Sequence, residues 1–364
     1  MKNFLTYSPY APHQSTLDKA EYLPEKLSEN ITDFTDMHAM KSKPIVMTST
    51  ILETEFPIHT IVKVGTVFND NINGTIGDDT LSGIGGNDII YGYDGDDTIY
   101  GGEGNDTIQG SLGENLLYGG QDDDFVYGGS ASDTLFGESG KDQLFGGAFG
   151  SMADTIYGGD DDDYLLGGEG ADSLYGGTDD DSIDGAAGND VLFGGDNNDY
   201  LLGDKDDDTL HGENGFDSLS GGTSNDVLFG GSENDILEGG DNSDSLYGGA
   251  GLDILDGGNG NDTFFSSAGF DANYGGAGDD LLILDGDYDF EGFNGGVGGR
   301  DAIQMEQPWL GDVPLFDWLH VTSGSFTYSA GDGTITFSAD ASGFFDFPDG
   351  TITSFSNLEL IHLT

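Results

Sequence analysis

The residues in this chain whose type and spacing could do chemistry are acids that return every nine positions. They are Asp70, Asp79, Asp88, Asp97 and Asp106, with Asn115 as an exception. The series resumes at Asp124, Asp133, Asp142, Asp154, Asp163, Asp172, Asp181, Asp190, Asp199, Asp208, Asp217, Asp226, Asp235, Asp244, Asp253, Asp262, Asp271 and Asp280. One step slips, from Asp142 to Asp154 around AFGSMA. The phrase that carries the acids reads GTIGDDTLS from Gly74, GIGGNDIIY from Gly83, GYDGDDTIY from Gly92 and GGEGNDTIQ from Gly101. It is still audible as GGAGLDILD from Gly248 and GGNGNDTFF from Gly257. Numbered one to nine, it places the acid at six, and a regularly wound chain turns such a period into columns.

Stacked carboxylates repel one another unless something neutralises them. A hard dication that takes carboxylate and backbone carbonyl oxygens removes the repulsion, and calcium accepts six to eight such oxygens. Every aspartate in the series is therefore a candidate calcium ligand. With two phrases per coil, each ion is expected to bridge turns eighteen residues apart, for example Asp79 with Asp97 or Asp88 with Asp106. A solvated acidic tract has a similar composition. It would not, however, keep a large apolar residue in register two positions after each acid.

The elements that must position these acids follow from the rest of the phrase. Glycines at one, two and four allow positive φ angles and close backbone approach in a tight turn. Position eight is apolar almost without interruption: Leu81, Ile90, Ile99, Ile108, Leu117, Val126, Leu135, Leu144, Ile156, Leu165, Leu174 and on to Leu255. Side chains alternate along a strand, so seven and nine point away from eight. The phrase predicts a six-residue turn and a three-residue strand with one inward side chain. Two phrases make an eighteen-residue coil. Some twelve coils of parallel strands about 4.8 Å apart give a roll on the order of 55 Å long.

The phrase resembles the GGxGxDxUx nonapeptide of the RTX (repeats-in-toxin) proteins, a calcium-binding parallel β-helix repeat. The likeness covers about 215 of the 364 residues. It implies an all-β parallel β-roll with calcium in the turns, folding outside the cell after export by a type I secretion route. Position four departs from the pattern at Asp122, Asp161, Asp179, Asn197, Asp206, Ser224, Glu233 and Asn242. Asp and Asn tolerate left-handed geometry, whereas Ser224, Glu233 and Ala131 tolerate it less well. Altered or weaker calcium binding is expected at those turns and at Asn115, which has lost one ionised ligand.

Sixty-nine acidic against nine basic residues give a formal net charge of -60. Such a field excludes nucleic acid as an electrostatic partner and argues against anionic membrane surfaces. The chain should be extended at cytoplasmic calcium and collapse at the higher level outside, where calcium modules bind at about 10⁻⁴ to 10⁻³ M. No cysteine is present, so disulfides and thiolate metal sites are excluded. No apolar run is long enough to span a membrane. The N-terminus, MKNFLTYSPYAPHQS, lacks the apolar core of a cleavable signal peptide. The expected address is the C-terminal secretion signal that the resemblance implies.

Three regions are expected. Residues 1–64 read as an arm and cap with one or two short helices, one from Pro24 to about Lys41 with Leu27, Ile31, Phe34 and Met37 on one face. Residues 65–283 read as the roll. Residues 284–364 read as a β-rich cap containing Trp309, Trp318, GTITFSAD and GTITSFSNLELIHLT. The acids Asp285, Asp287 and Asp289 resemble the start of an EF-hand loop, but Phe290 and Gly296 break that match.

Sorted by parity, position nine separates the faces of the roll. One sheet is expected to present Tyr100, Tyr118, Phe136, Tyr157, Tyr175, Phe193, His211, Phe229, Tyr247 and Phe265 as an outward column. The other presents Tyr91, Gln109, Tyr127, Phe145, Leu166, Asp184, Leu202, Ser220, Glu238 and Asp256. This parity holds only if the three extra residues near Phe149 bulge out as a loop. A self-stacking ladder is the plain reading of the aromatic column. A continuous exposed stripe nevertheless exceeds what soluble monomers usually carry, so another copy, a terminal domain or glycan rings are expected to cover it.

Catalytic motifs are missing: no HExxH, no GxSxG, and GESGKD at Gly137 falls short of a phosphate loop. The six histidines are scattered. A glycosidase needs two acids with one raised pKa, which calcium-paired turns would oppose. The reading is an exported calcium-binding structural or adhesive protein that self-associates or contacts surface glycans. The alternatives are an accessory module or enzyme of extracellular polysaccharide metabolism, or a virion fibre or decoration protein.

Overall fold

The computed structural model describes residues 60–147, 152–265, 268–269, 271–284, 292–296, 301–305, 319–323, 326–329, 334–337, 341–346, 352–358 and 360–363. All of these lie in the second of two units, Glu55–Thr364. The expected helices, both tryptophans and Asp285 to Asp289 lie outside the described residues.

The fold is an all-β parallel roll. Strands alternate between two sheets: Thr80–Gly85, Thr98–Glu103 and Leu116–Gln121 stack in one, Ile89–Asp94, Thr107–Leu112 and Phe125–Ser130 in the other. Partners are parallel and eighteen residues apart, as in Leu81 against Ile99 and Ile90 against Ile108. Position eight points inward throughout, and its residues from Leu81 to Leu255 are almost wholly buried. Each carries one apolar side chain into a core one residue wide per sheet. The slip near Phe149 leaves the register intact: Phe145 still meets Leu166, and Thr155 still meets Thr134. Residues 148–151 themselves lie outside the described residues.

The strands are longer than the phrase predicts. They run six residues, through positions seven to nine and on through one to three, leaving only four to six as turn. Positions two and three also pair across coils, Ile84 with Gly102 and Gly85 with Glu103. Such pairing satisfies backbone groups that a six-residue turn would leave to solvent. At position four, Ala131, Ser224 and Glu233 adopt φ of 94°, 94° and 74°, as the glycines do. The stack imposes that conformation although these side chains disfavour it.

Parallel stacking does not stop at Ile283. Gly292–Asn294 and then Ile352–Ser356 extend one sheet, while Ala302–Met305 and then Leu360–Leu363 extend the other. Beyond them the direction reverses. Ser342–Asp346 pairs antiparallel with Ile352–Ser356, and Thr334–Phe337 with Leu360–Leu363. These antiparallel strands occupy sheet edges that would otherwise be open to pairing with another chain.

Candidate metal centre

From Asp79 to Asp280 every position-six aspartate is buried, at most 4% exposed, and Asn115 is buried with them. Each sits where a strand begins. One carboxylate oxygen is used the same way throughout: Oδ1 accepts the backbone N–H of the position-six residue one coil earlier. Asp79 N–H donates to Asp97 Oδ1 at 2.8 Å, and Asp172 N–H to Asp190 Oδ1 at 2.7 Å. Residues eighteen apart therefore do meet, but through a backbone donor, not carboxylate against carboxylate. Among the described residues, no three His, Cys, Asp or Glu side chains converge on one point.

The second oxygen is different. On nineteen of these aspartates, from Asp88 to Asp280 with Asp154 and Asp271 excepted, Oδ2 is buried with no hydrogen-bond partner. A buried unpaired carboxylate oxygen is costly, and a repeated one marks a place for something that binds oxygen. The position-one glycine defines that place. A Cβ added to Gly176 would lie 2.3 Å from Asp181 Oδ2 and 2.6 Å from Gly194 O. At Gly137 the distances are 2.2 Å to Asp142 Oδ2 and 2.6 Å to Gly158 O. Position one is thus glycine because of close approach, and its φ is not left-handed. A carboxylate oxygen of one turn and a glycine carbonyl one coil on face the same small volume. Both are hard oxygen donors of the kind calcium prefers.

Electrostatics point the same way. Burial, reinforced by neighbouring carboxylates and partly offset by the backbone N–H bond, pushes Asp124, Asp163, Asp199, Asp208 and Asp244 up to about 8. Asp133, Asp142, Asp181, Asp190 and Asp235 are pushed up to about 7 by the same burial. Charge on these groups is unfavourable unless a cation compensates it.

Five positions of the series lack such an oxygen, and hydrogen bonds account for three of them. Asp70 and Asp79 have Oδ2 filled by Thr66 and Thr75, whose N–H groups donate at 2.6 Å and whose hydroxyls add second bonds. At the third, Asn115 Nδ2 donates to Gly113 O at 3.0 Å and to Asp133 Oδ1 at 2.9 Å. A neutral amide there supplies donors where a carboxylate would need a cation. Asn115→Asp is expected to raise calcium stoichiometry measured by titration calorimetry, and to lower stability in chelator by about 1–3 kcal/mol, the cost of a buried unsatisfied group. Unchanged stoichiometry would count against a cation site at this corner.

Two features escaped the phrase. Asp301 joins the column: it is buried, its Oδ1 accepts Asp280 N–H at 3.1 Å, and its Oδ2 lies 2.3 Å from a Cβ built on Gly295. The second is position five, where Asn or Asp side chains form an outer ladder. Asn87 N–H donates to Asn69 Oδ1, Asp96 N–H to Asp78 Oδ1, and Asn198 N–H to Asp180 Oδ1. The prevalence of Asp and Asn at five was its signal.

The aromatic column is present, as a ladder. From Tyr100 through Tyr118, Phe136, Tyr157, Tyr175, Phe193, His211, Phe229 and Tyr247 to Phe265, successive centroids lie 4.0–5.0 Å apart with interplanar angles of 1–16°. Each inner ring has both faces covered by its neighbours. Tyr100 and Tyr157 are exposed and the other rings are half-buried, so the stripe shows edges, not faces.

A parallel roll with buried, unpaired aspartate oxygens at its corners has the architecture of a calcium-binding β-roll. The family model for the RTX calcium-binding nonapeptide repeat (4 copies) matches in overlapping or abutting stretches from residue 64 to residue 272. The chain belongs to that family. No curated protein matches it. Among the described residues, no helix is long and apolar enough to cross a membrane.

Proposed function

We propose that this chain is an exported structural protein whose roll winds on calcium outside the cell. The observation that carries this reading is the set of nineteen partnerless Oδ2 atoms, ranged along the corners beside glycine carbonyls of the next coil. Asp88, Asp97, Asp106, Asp124 and their successors through Asp280 would hold the ions together with the position-one carbonyls. Calcium, once bound, supplies positive charge and accepts several oxygens at each corner. The chain's own contribution is to present one carboxylate oxygen per turn and to fix the other on a backbone N–H. On this reading the corner aspartates serve as ligands and not as acids or bases.

The aromatic ladder stiffens one sheet, and its exposed edges are offered to a second copy of the chain. Glycan rings stack on aromatic faces, and here the inner faces are occupied, so the ladder favours assembly over sugar contact. Tyr157→Ser combined with Phe193→Ser tests this. The expected result is a folded, calcium-loaded monomer where the parent chain associates, read by sedimentation at matched calcium. If the double variant associates as the parent does, the ladder has no part in assembly.

A further inference from the structure

The other sheet carries a different aromatic. Tyr274 is 44% exposed, and its column neighbours are Asp256 on one side and Asn294 on the other. Among the described residues, no ring stacks on its faces. Beside it lies a trough of about 500 Å³, formed where Ala272–Ala277, Gly292–Asn294 and Ile352–Ser356 pair in parallel. This volume falls within the range of small-molecule clefts. The trough exists because position seven is small on all three strands: Ala272, Gly292 and Ser354.

Gly292 is informative because the fold does not demand it. A Cβ there would meet only Ser354 Oγ at 3.4 Å and Ser354 O at 3.7 Å, both ordinary contacts. Its φ is not left-handed. In earlier coils of this sheet the same position is Ile236 or Ile254. Glycine here leaves the floor open. Polar groups line the remaining wall. Asn294 Oδ1 accepts Asn357 Nδ2 at 2.9 Å and Gly296 N–H at 3.2 Å, which fixes the amide and leaves its nitrogen as the donor it can offer. Ser354 lines the floor and Ser356 adds a hydroxyl.

We infer that this trough binds a neutral hexose ring. An exposed flat aromatic suits the apolar C–H face of a pyranose, and an oriented amide with a hydroxyl beside it suits its equatorial oxygens. Neutrality follows from the column leading to the site, in which Glu238 and Asp256 are exposed carboxylates that repel an anionic sugar. The site is separate from the ladder and does not depend on assembly through it.

The test uses the full calcium-loaded chain and saturation-transfer NMR with glucose, galactose, mannose, N-acetylglucosamine and glucuronate. At least one neutral hexose should show transfer, and glucuronate none. Tyr274→Ala should weaken binding at least tenfold. Gly292→Val should abolish it while leaving circular dichroism unchanged, since the backbone has room for the side chain and β-branched residues suit strands. Tyr157→Ala, on the ladder, should bind as the parent does. The inference is overturned if no neutral hexose gives transfer, or if binding survives Gly292→Val in a folded chain. It is also overturned if binding follows Tyr157 instead of Tyr274, or if Gly292→Val changes only the oligomeric state, which would make the trough a protein contact.

Discussion

In chelator at pH 7.5 the roll is expected to come apart, and millimolar calcium is expected to restore it. At a spacing of about 4.8 Å, each pair of neighbouring like charges costs on the order of 3 kcal/mol at an effective dielectric of about 20. The position-six columns repeat that cost coil after coil, on a chain whose net charge is already -60. The core opposing it is thin, one apolar side chain per phrase. For the roughly 310 residues of the unit Glu55–Thr364, the radius of gyration should grow from about 20 Å to about 60 Å on unfolding. Small-angle scattering reads that change directly, and far-UV circular dichroism should lose its β signature in step. The transition should centre at about 10⁻⁴ to 10⁻³ M calcium, and magnesium should fail to replace it, since magnesium dehydrates reluctantly and demands near-ideal octahedral geometry. A compact, β-rich chain in chelator would mean that the aspartate columns do not depend on an ion to stay stacked.

How much of this was legible beforehand depends on which physical signal each feature leaves. Leu81, Ile99 and Leu117 at fixed spacing, each two residues after Asp79, Asp97 and Asn115, announce both a core and a metal edge, because period and side-chain type survive in one dimension. Asp301 was missed because extra residues before it break the nine-residue count, although GGVGGRDAI is the same phrase stretched. Position one was assigned both a positive φ and a close approach, and only the close approach holds. Glycine reports only that a side chain is unwelcome, and whether φ or a neighbouring oxygen excludes it at Gly176 is a property of the next coil. The ladder divides likewise. Parity placed Tyr157 beneath Tyr175, but covered ring faces depend on rotamers that parity does not contain. The trough was out of reach, since Ile352–Ser356 joins Gly292–Asn294 across about sixty residues without any repeat to signal it.

Acid should do part of calcium's work. The position-six carboxyls have folded-state pKa values raised above the ordinary 3.8, chiefly by burial: about 6 for Asp97, Asp172 and Asp226, about 7 for Asp142 and Asp190, about 8 for Asp163 and Asp208. A group with a raised folded pKa binds more protons folded than unfolded between the two values. Stability of the calcium-free roll therefore falls as pH rises from about 4 to about 8, and recovers as pH falls. In chelator, circular dichroism followed from pH 8.5 down to 4.5 should regain the β signature, with its midpoint between about 6 and 8. With calcium the sign reverses, since the ion needs ionised carboxylates and protons compete for them, so the calcium midpoint should rise as pH falls. The two titrations constrain each other. If protons restore the fold and calcium affinity drops over the same interval, one set of oxygens serves both. A chelated chain that stays unfolded down to pH 4.5 would mean that charge on these buried carboxyls is not what holds the coils apart.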